Sequence, residues 1–242
     1  MTGGEPKITL INPPKYWAEL LPDIAGQINL SVEIYSSSID SKPENLGNKE
    51  NSTNLENIDL ALFFFSAENG LSQNNIDLFN KLRELYIPVI VLVVEIEITN
   101  GHPVINTEKF FSETLDYEDY LPILEKTLEP MPTKYLPLYS EGGAPIAFIN
   151  LEISEISDYS NLDFGKVKDM SSQSAKKYPA TPEHLELVEN FTSEYQERIE
   201  EFGADGFRNG LFSIAHPLYG KELSNLGVWE LIEILISFKN SY

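Results

Sequence analysis

The sequence predicts an α/β protein: a three-layer, doubly wound, mostly parallel sheet carrying a small α+β insert. Three observations carry that prediction. The run Ile58-Asp59-Leu60-Ala61-Leu62-Phe63-Phe64-Phe65 is apolar with little alternation, as a strand covered on both faces must be. Asn74 to Tyr86 then places Ile76, Phe79, Leu82 and Leu85 at helical spacing, one apolar stripe on a polar helix. Pro88 to Ile96 returns to an almost entirely β-branched strand. Strand, helix and strand in such a short stretch form a βαβ unit, whose parallel strands require the crossover.

The other elements follow from local chemistry. Lys7 to Asn12 reads as the first strand, stopped by Pro13-Pro14, because proline removes a ladder donor and restricts the residue before it. Ile28 to Tyr35 alternates Leu30, Val32 and Ile34 with polar neighbours, the pattern of a half-exposed strand. Ser36 to Asn57, rich in Ser, Asn, Lys and Glu, reads as a mobile loop. Beyond the βαβ unit, Asp119 to Leu128 is a short helix despite Pro122. Lys134 to Leu138 and Ala147 to Ile153 are strands of a hairpin around Glu141-Gly142-Gly143-Ala144-Pro145. Asp163 to Lys177 is polar and reads as a loop. Thr181 is the N-cap and Pro182 the first residue of a long amphipathic helix to about Phe202, ended by Gly203. Leu211 to Ala215 is the last strand and Val228 to Phe238 the final helix. The division is an α/β core of residues 1–99 and 179–242 with an inserted subdomain of residues 100–178.

Charge excludes whole classes of function. Seventeen basic residues stand against thirty-eight acidic ones, a formal net charge of -21. Such a surface repels phosphate backbones and anionic lipid, so no direct nucleic-acid or membrane role is expected. It serves solubility, or it steers a basic protein partner. With no cysteine there are no disulfides, zinc-thiolate sites or thiol catalysis. No apolar run approaches the roughly 18 residues that cross a bilayer. Met1 to Lys7 lacks the basic flank and cleavage site of a secretory signal, and a cytoplasmic setting is expected.

The stretch from Ile58 to Glu97 resembles elongation factor G and its relatives among the translational GTPases. In that family a strand ends in Ser-Ala-x-x-Gly, a helix follows, and then proline and a strand ending in Asn-Lys-x-Asp. Here Ser66-Ala67-Glu68-Asn69-Gly70, Pro88 and Val94-Glu95-Ile96-Glu97 occupy those places. Met131 to Leu138 and the strand from Ala147 are similar to the family's inserted subdomain, and Leu211 to Phe238 to the region of its fifth motif. The resemblance implies a sheet of the P-loop GTPase type.

It also exposes losses. The family's Gly-x-x-x-x-Gly-Lys-(Ser/Thr) cradles phosphate on backbone amides. The equivalent stretch here is Asn12-Pro13-Pro14-Lys15-Tyr16-Trp17-Ala18-Glu19, with no glycine and two prolines without amide donors. The Asp-x-x-Gly that positions magnesium is missing, and Asp40 has no glycine three residues on. Valine and glutamate replace the asparagine and lysine that read guanine, and Ala215-His216 replaces a Ser-Ala pair. The resemblance therefore implies a pseudo-GTPase: a protein-binding module, translation- or ribosome-related, with no catalytic residue, cofactor or metal. In relatives the insert touches the ribosomal stalk. The alternative is a weak or altered nucleotide-binding protein or GTPase using the same sheet edge, with Lys15, Glu97 and His216 converging on one pocket.

Remaining candidates are blander. His102, His184 and His216 have no metal-ligand or catalytic spacing. The acidic pairs Glu118-Asp119 and Glu200-Glu201 read as chance neighbours in so acidic a chain. Phe63 to Phe65 read as core, and Trp17 and Trp229 as buried anchors.

Overall fold

A computed structural model describes residues 5–35, 55–67, 70–94, 97–99, 102–104, 115–141, 143–161, 175–220 and 225–241. Most of the Ser36 to Asn57 loop, residues 163–174 and the pairs Glu68-Asn69 and Glu95-Ile96 lie outside the described residues; Lys176 and Lys177, expected to end a loop, instead begin a strand.

Five strands make one parallel sheet. They are β1 (Lys7–Ile11), β2 (Ser31–Tyr35), β3 (Leu60–Ser66), β4 (Val89–Val94) and β11 (Ile214–Pro217), in the order β11-β4-β3-β1-β2. Every neighbouring pair is parallel, including β3 with β4. Helices α1 (Lys15–Gln27) and α2 (Gln73–Glu84) lie in the β1–β2 and β3–β4 crossovers. The step from β1 to β2 and the step from β3 to β4 run in opposite directions along the sheet. Right-handed crossovers therefore put α1 and α2 on opposite faces, which makes the sheet doubly wound. Along β3, Phe63 packs edge-on to Phe79 of α2 at 5.6 Å. The last helix, α6 (Val228–Asn240), lies beside α1: the Lys239 ammonium reaches the carbonyls of Ile28 and Asn29 at 3.2 and 2.9 Å. A cation there complements the negative end of the α1 dipole.

The sequence hides α1 behind its prolines. Pro14 precedes its first residue and Pro22 lies inside it, yet Trp17, Leu21, Ile24 and Ala25 are all buried on one face. The burial of that stripe outweighs the proline. At the other end of the chain the last strand is β11, three residues later than expected. Leu211 is 38% exposed and follows a tight turn through Gly206 and Gly210. The expected long helix is two: α4 (Pro182–Leu187) and α5 (Glu189–Phe202), interrupted where buried Val188 leaves helical geometry.

A second, antiparallel sheet has the order β10-β9-β8-β7, with β7 (Tyr135–Tyr139), β8 (Pro145–Asn150), β9 (Glu155–Asp158) and β10 (Lys176–Pro179). The expected hairpin is β7–β8, but the sheet has four strands. Asn150 ends β8, and the turn after it starts β9, so Leu151 to Ile153 are turn rather than strand. Helix α3 (Tyr117–Thr127) precedes this sheet, with Phe65 of β3 packed edge-on to its Tyr120 at 6.1 Å. A further pair, β5 (Glu97–Thr99) and β6 (His102–Val104), follows β4. The two main sheets meet at β11, where the Ala215 amide donates to the Pro132 carbonyl at 3.0 Å and Thr133 bridges Ala215. Their buried residues form one continuous apolar cluster. Among the described residues no helix is long and apolar enough to cross a membrane.

Candidate functional site

Doubly wound sheets bind ligands outside the carboxyl ends of their strands, where the winding reverses. Here that place lies between β1 and β3. The β1–α1 connection is only Asn12-Pro13-Pro14. Asn12 adopts φ 51°, gives its amide to the Tyr35 carbonyl at 2.8 Å, and gives its side-chain amide to Asn75 of α2 at 2.8 Å. The Tyr16 hydroxyl donates to the Asn225 side chain. Prolines occupy the next two positions, and Lys15, the first residue of α1, is exposed. Past β3, the Gly70 amide returns to the Ser66 carbonyl at 2.8 Å with Gly70 at φ 67°. Ser72 caps α2 by accepting from the Asn75 amide.

His216 lies in β11 and is fully buried. Its Nε2 donates to the Gly227 carbonyl at 2.7 Å, since a carbonyl can only accept. Nδ1 is then the bare nitrogen. The ring stacks on Phe148 at 6.4 Å and meets Tyr135 edge-on at 6.1 Å, both from the antiparallel sheet. Burial lowers its pKa to about 4, against the opposing pull of the Gly227 carbonyl, and the imidazole is neutral. Gly227 has φ 95°, and a Cβ there would stand 2.3 Å from the Pro217 oxygen. His216 is thus a packed joint between the two sheets, while Lys15 faces solvent; neither lines a described cavity. Glu97 begins β5, opposite Val104, and its side chain lies outside the described residues.

A different place gathers polar groups around a hollow. A cavity of about 460 Å³ lies between the antiparallel sheet, the start of α3 and helices α4 and α5. Leu136, Leu138, Leu187 and Phe191 supply apolar walls, and Glu118, Tyr139, Asp158, Tyr178 and His184 supply polar groups. Tyr139 donates to Glu118 Oε2 at 3.0 Å and accepts from the Tyr117 amide at 3.0 Å, with the Tyr219 hydroxyl 3.4 Å away. Burial, reinforced by nearby Asp116 and Asp119, raises the Glu118 pKa to about 7, although its own amide and Tyr139 oppose the rise. His184 is tied into the α4 cap, its Nδ1 accepting from the Thr181 amide at 3.2 Å.

Of the two acidic pairs read as chance, Glu200-Glu201 is exposed, whereas Glu118 carries the perturbed carboxyl of this cavity. The sequence marks the start of α3, since Asp116 and Asp119 form a capping box there. It does not mark Tyr139, twenty-one residues on, as the partner.

Behind the same sheet a second polar cluster faces α6. Tyr159 donates to buried Glu230 at 2.6 Å, and Tyr135 donates to Glu233 at 2.7 Å. Lys177 pairs with Glu233 at 2.6 Å. Burial raises the Glu230 pKa to about 7, with Tyr159 opposing. Among the described residues no group of three His, Asp or Glu side chains is placed to hold a metal ion. Compared with protein-family models and with curated proteins, the chain matches none.

Proposed function

We propose that the chain is a degenerate, elongation factor G-like G domain that has given up nucleotide chemistry and acts by binding a basic protein partner, in a translation- or ribosome-related setting in the cytoplasm. The observation that carries the reading is the β1–α1 turn. Its three residues include two prolines without amide hydrogens, and the Asn12 amide is spent on Tyr35. A phosphate placed there meets no glycine-loop nest, only the first amides of α1. The parallel sheet with its doubly wound order supports the α/β part of the reading.

The partner's chemistry follows from charge. Glu183, Glu186, Glu189, Glu194, Glu197, Glu200 and Glu201 are all exposed on α4 and α5. On α5 the basic side chain Arg198 is paired with Glu201 at 3.0 Å. That face attracts and orients a basic surface.

Thermal unfolding in GTP, GDP or ATP, each with magnesium, tests the reading. The expected melting temperature is unchanged in all three. A ligand at a hundred times its dissociation constant stabilises the native state by about 2.7 kcal/mol. A rise of several degrees with any one nucleotide contradicts the proposal.

A further inference from the structure

We infer that the cavity between the antiparallel sheet and α4–α5 binds a small amphipathic amine, its ammonium seated at Glu118 and its apolar part against Leu136, Leu187 and Phe191. This goes beyond the protein-binding reading and does not depend on it.

Size and lining come first. A hollow of about 460 Å³ falls within the range of ordinary small-molecule sites, which are mostly apolar with a few convergent polar groups. Leu187, on the rim, is 74% exposed and offers apolar surface to a ligand there.

The sign of the ligand follows from the polar groups. Glu118 and Asp158 line the cavity, and no lysine or arginine does among the described residues. An anion would face two carboxylates, with Lys176 only at the rim and His184 tied into the α4 cap. An ammonium meets the Glu118 carboxylate, which has acceptor positions beyond those used by Tyr139 and its own amide. The rings of Tyr139 and Tyr178 offer aromatic faces nearby. The rim already accepts one such cation: the Lys176 ammonium lies 5.7 Å from the centroid of the Tyr178 ring, whose hydroxyl points to Asp158 at 3.4 Å.

Binding is coupled to protons. The groups facing Glu118 are Asp116, Tyr117 and Asp119 on its own helix, Tyr139 from β7 and Tyr219 beyond β11. Across the cavity stand Asp158 of β9, Tyr178 of β10 and His184 of α4. Glu118 holds its proton to about pH 7, and an arriving ammonium favours the ionised form. Affinity therefore rises with pH between about 5.5 and 8, where an alkylammonium, with a pKa of ~10, stays charged throughout.

The test is calorimetric titration of the whole chain with phenethylamine and with its uncharged analogue phenethyl alcohol. The amine is expected to bind saturably at one site, more tightly as pH rises, and the alcohol much more weakly. Glu118→Gln weakens the amine about tenfold or more and flattens the pH dependence. Leu187→Ser, at a position too exposed to endanger the fold, weakens it by a smaller factor and keeps the pH dependence. Equal binding of the alcohol, an unchanged affinity in a folded Glu118→Gln, or no saturable binding at either pH overturns the inference. Should Glu118→Gln fail to fold, an affinity that is flat with pH or indifferent to Leu187→Ser overturns it equally.

Discussion

The parallel and antiparallel sheets are both buried, but by different chemistry. Across β3 and β4, Leu60 to Phe65 and Val89 to Val94 are buried without one polar side chain among them. In the antiparallel sheet the buried side chains include Tyr135 and, just past β9, Tyr159, with Tyr139 half-buried beside them. Their hydroxyls reach Glu233, Glu230 and Glu118. The side chains of the first region are held by excluded water, which hardly responds to pH. The second depends on hydrogen bonds to carboxyl groups whose protonation is itself set by burial.

The largest effect breaks the first region. Phe63 is 1% exposed and packs edge-on to Phe79. Phe63→Ala is expected to cost about 3–5 kcal/mol in urea unfolding, by the same amount at pH 5 and pH 8. A loss under about 1 kcal/mol would mean that β3 is not the centre of the core.

A smaller effect, dependent on pH, sharpens the second region. Tyr159→Phe removes the donor that Glu230 holds at 2.6 Å. At pH 8, with Glu230 ionised, the cost is about 1.5–3 kcal/mol; at pH 5, with the carboxyl protonated, it is about 1 kcal/mol. The background slope has a defined sign. Glu118 and Glu230 titrate near pH 7 when folded and near ~4.3 when unfolded, so between those values the native chain holds protons that the unfolded chain has released. Their contribution makes stability fall as pH rises across that window, and below it the penalty is absent. His216, lowered to about 4, acts oppositely: between about pH 4 and 6.5 stability rises with pH, because only the unfolded state binds its proton. A Tyr159→Phe penalty equal at both pH values would show that Glu230 does not change charge in this range.

The same contrast explains how much could be read from the sequence. β3, α2 and β4 were legible because unbroken apolar runs and a clean helical stripe leave few alternatives. α1 was obscured because Pro13, Pro14 and Pro22 speak louder locally than the spacing of Trp17, Leu21 and Ile24, which only the sheet can reward. β9 and β10 are four residues each, and β10 is an edge strand with two exposed lysines, so neither carries a pattern. The role of His216 depends on Phe148 and Tyr135, far away in sequence. The cavity was illegible for the same reason: Glu118, Tyr139, Asp158 and His184 come from four elements, and only the fold brings them together. At the β1–α1 turn, by contrast, two prolines and no glycine were visible from the start.

That turn is the most direct place to test the account. Amide-resolved NMR of the chain, titrated with GTP and magnesium, reads it residue by residue. The expected result is no saturable shift in the amides of Asn12, Lys15, Tyr16 and Trp17, or in those of Ala215 and His216. Saturable shifts at these residues, abolished by Lys15→Ala, would mean that the sheet edge still holds a nucleotide and would contradict the account.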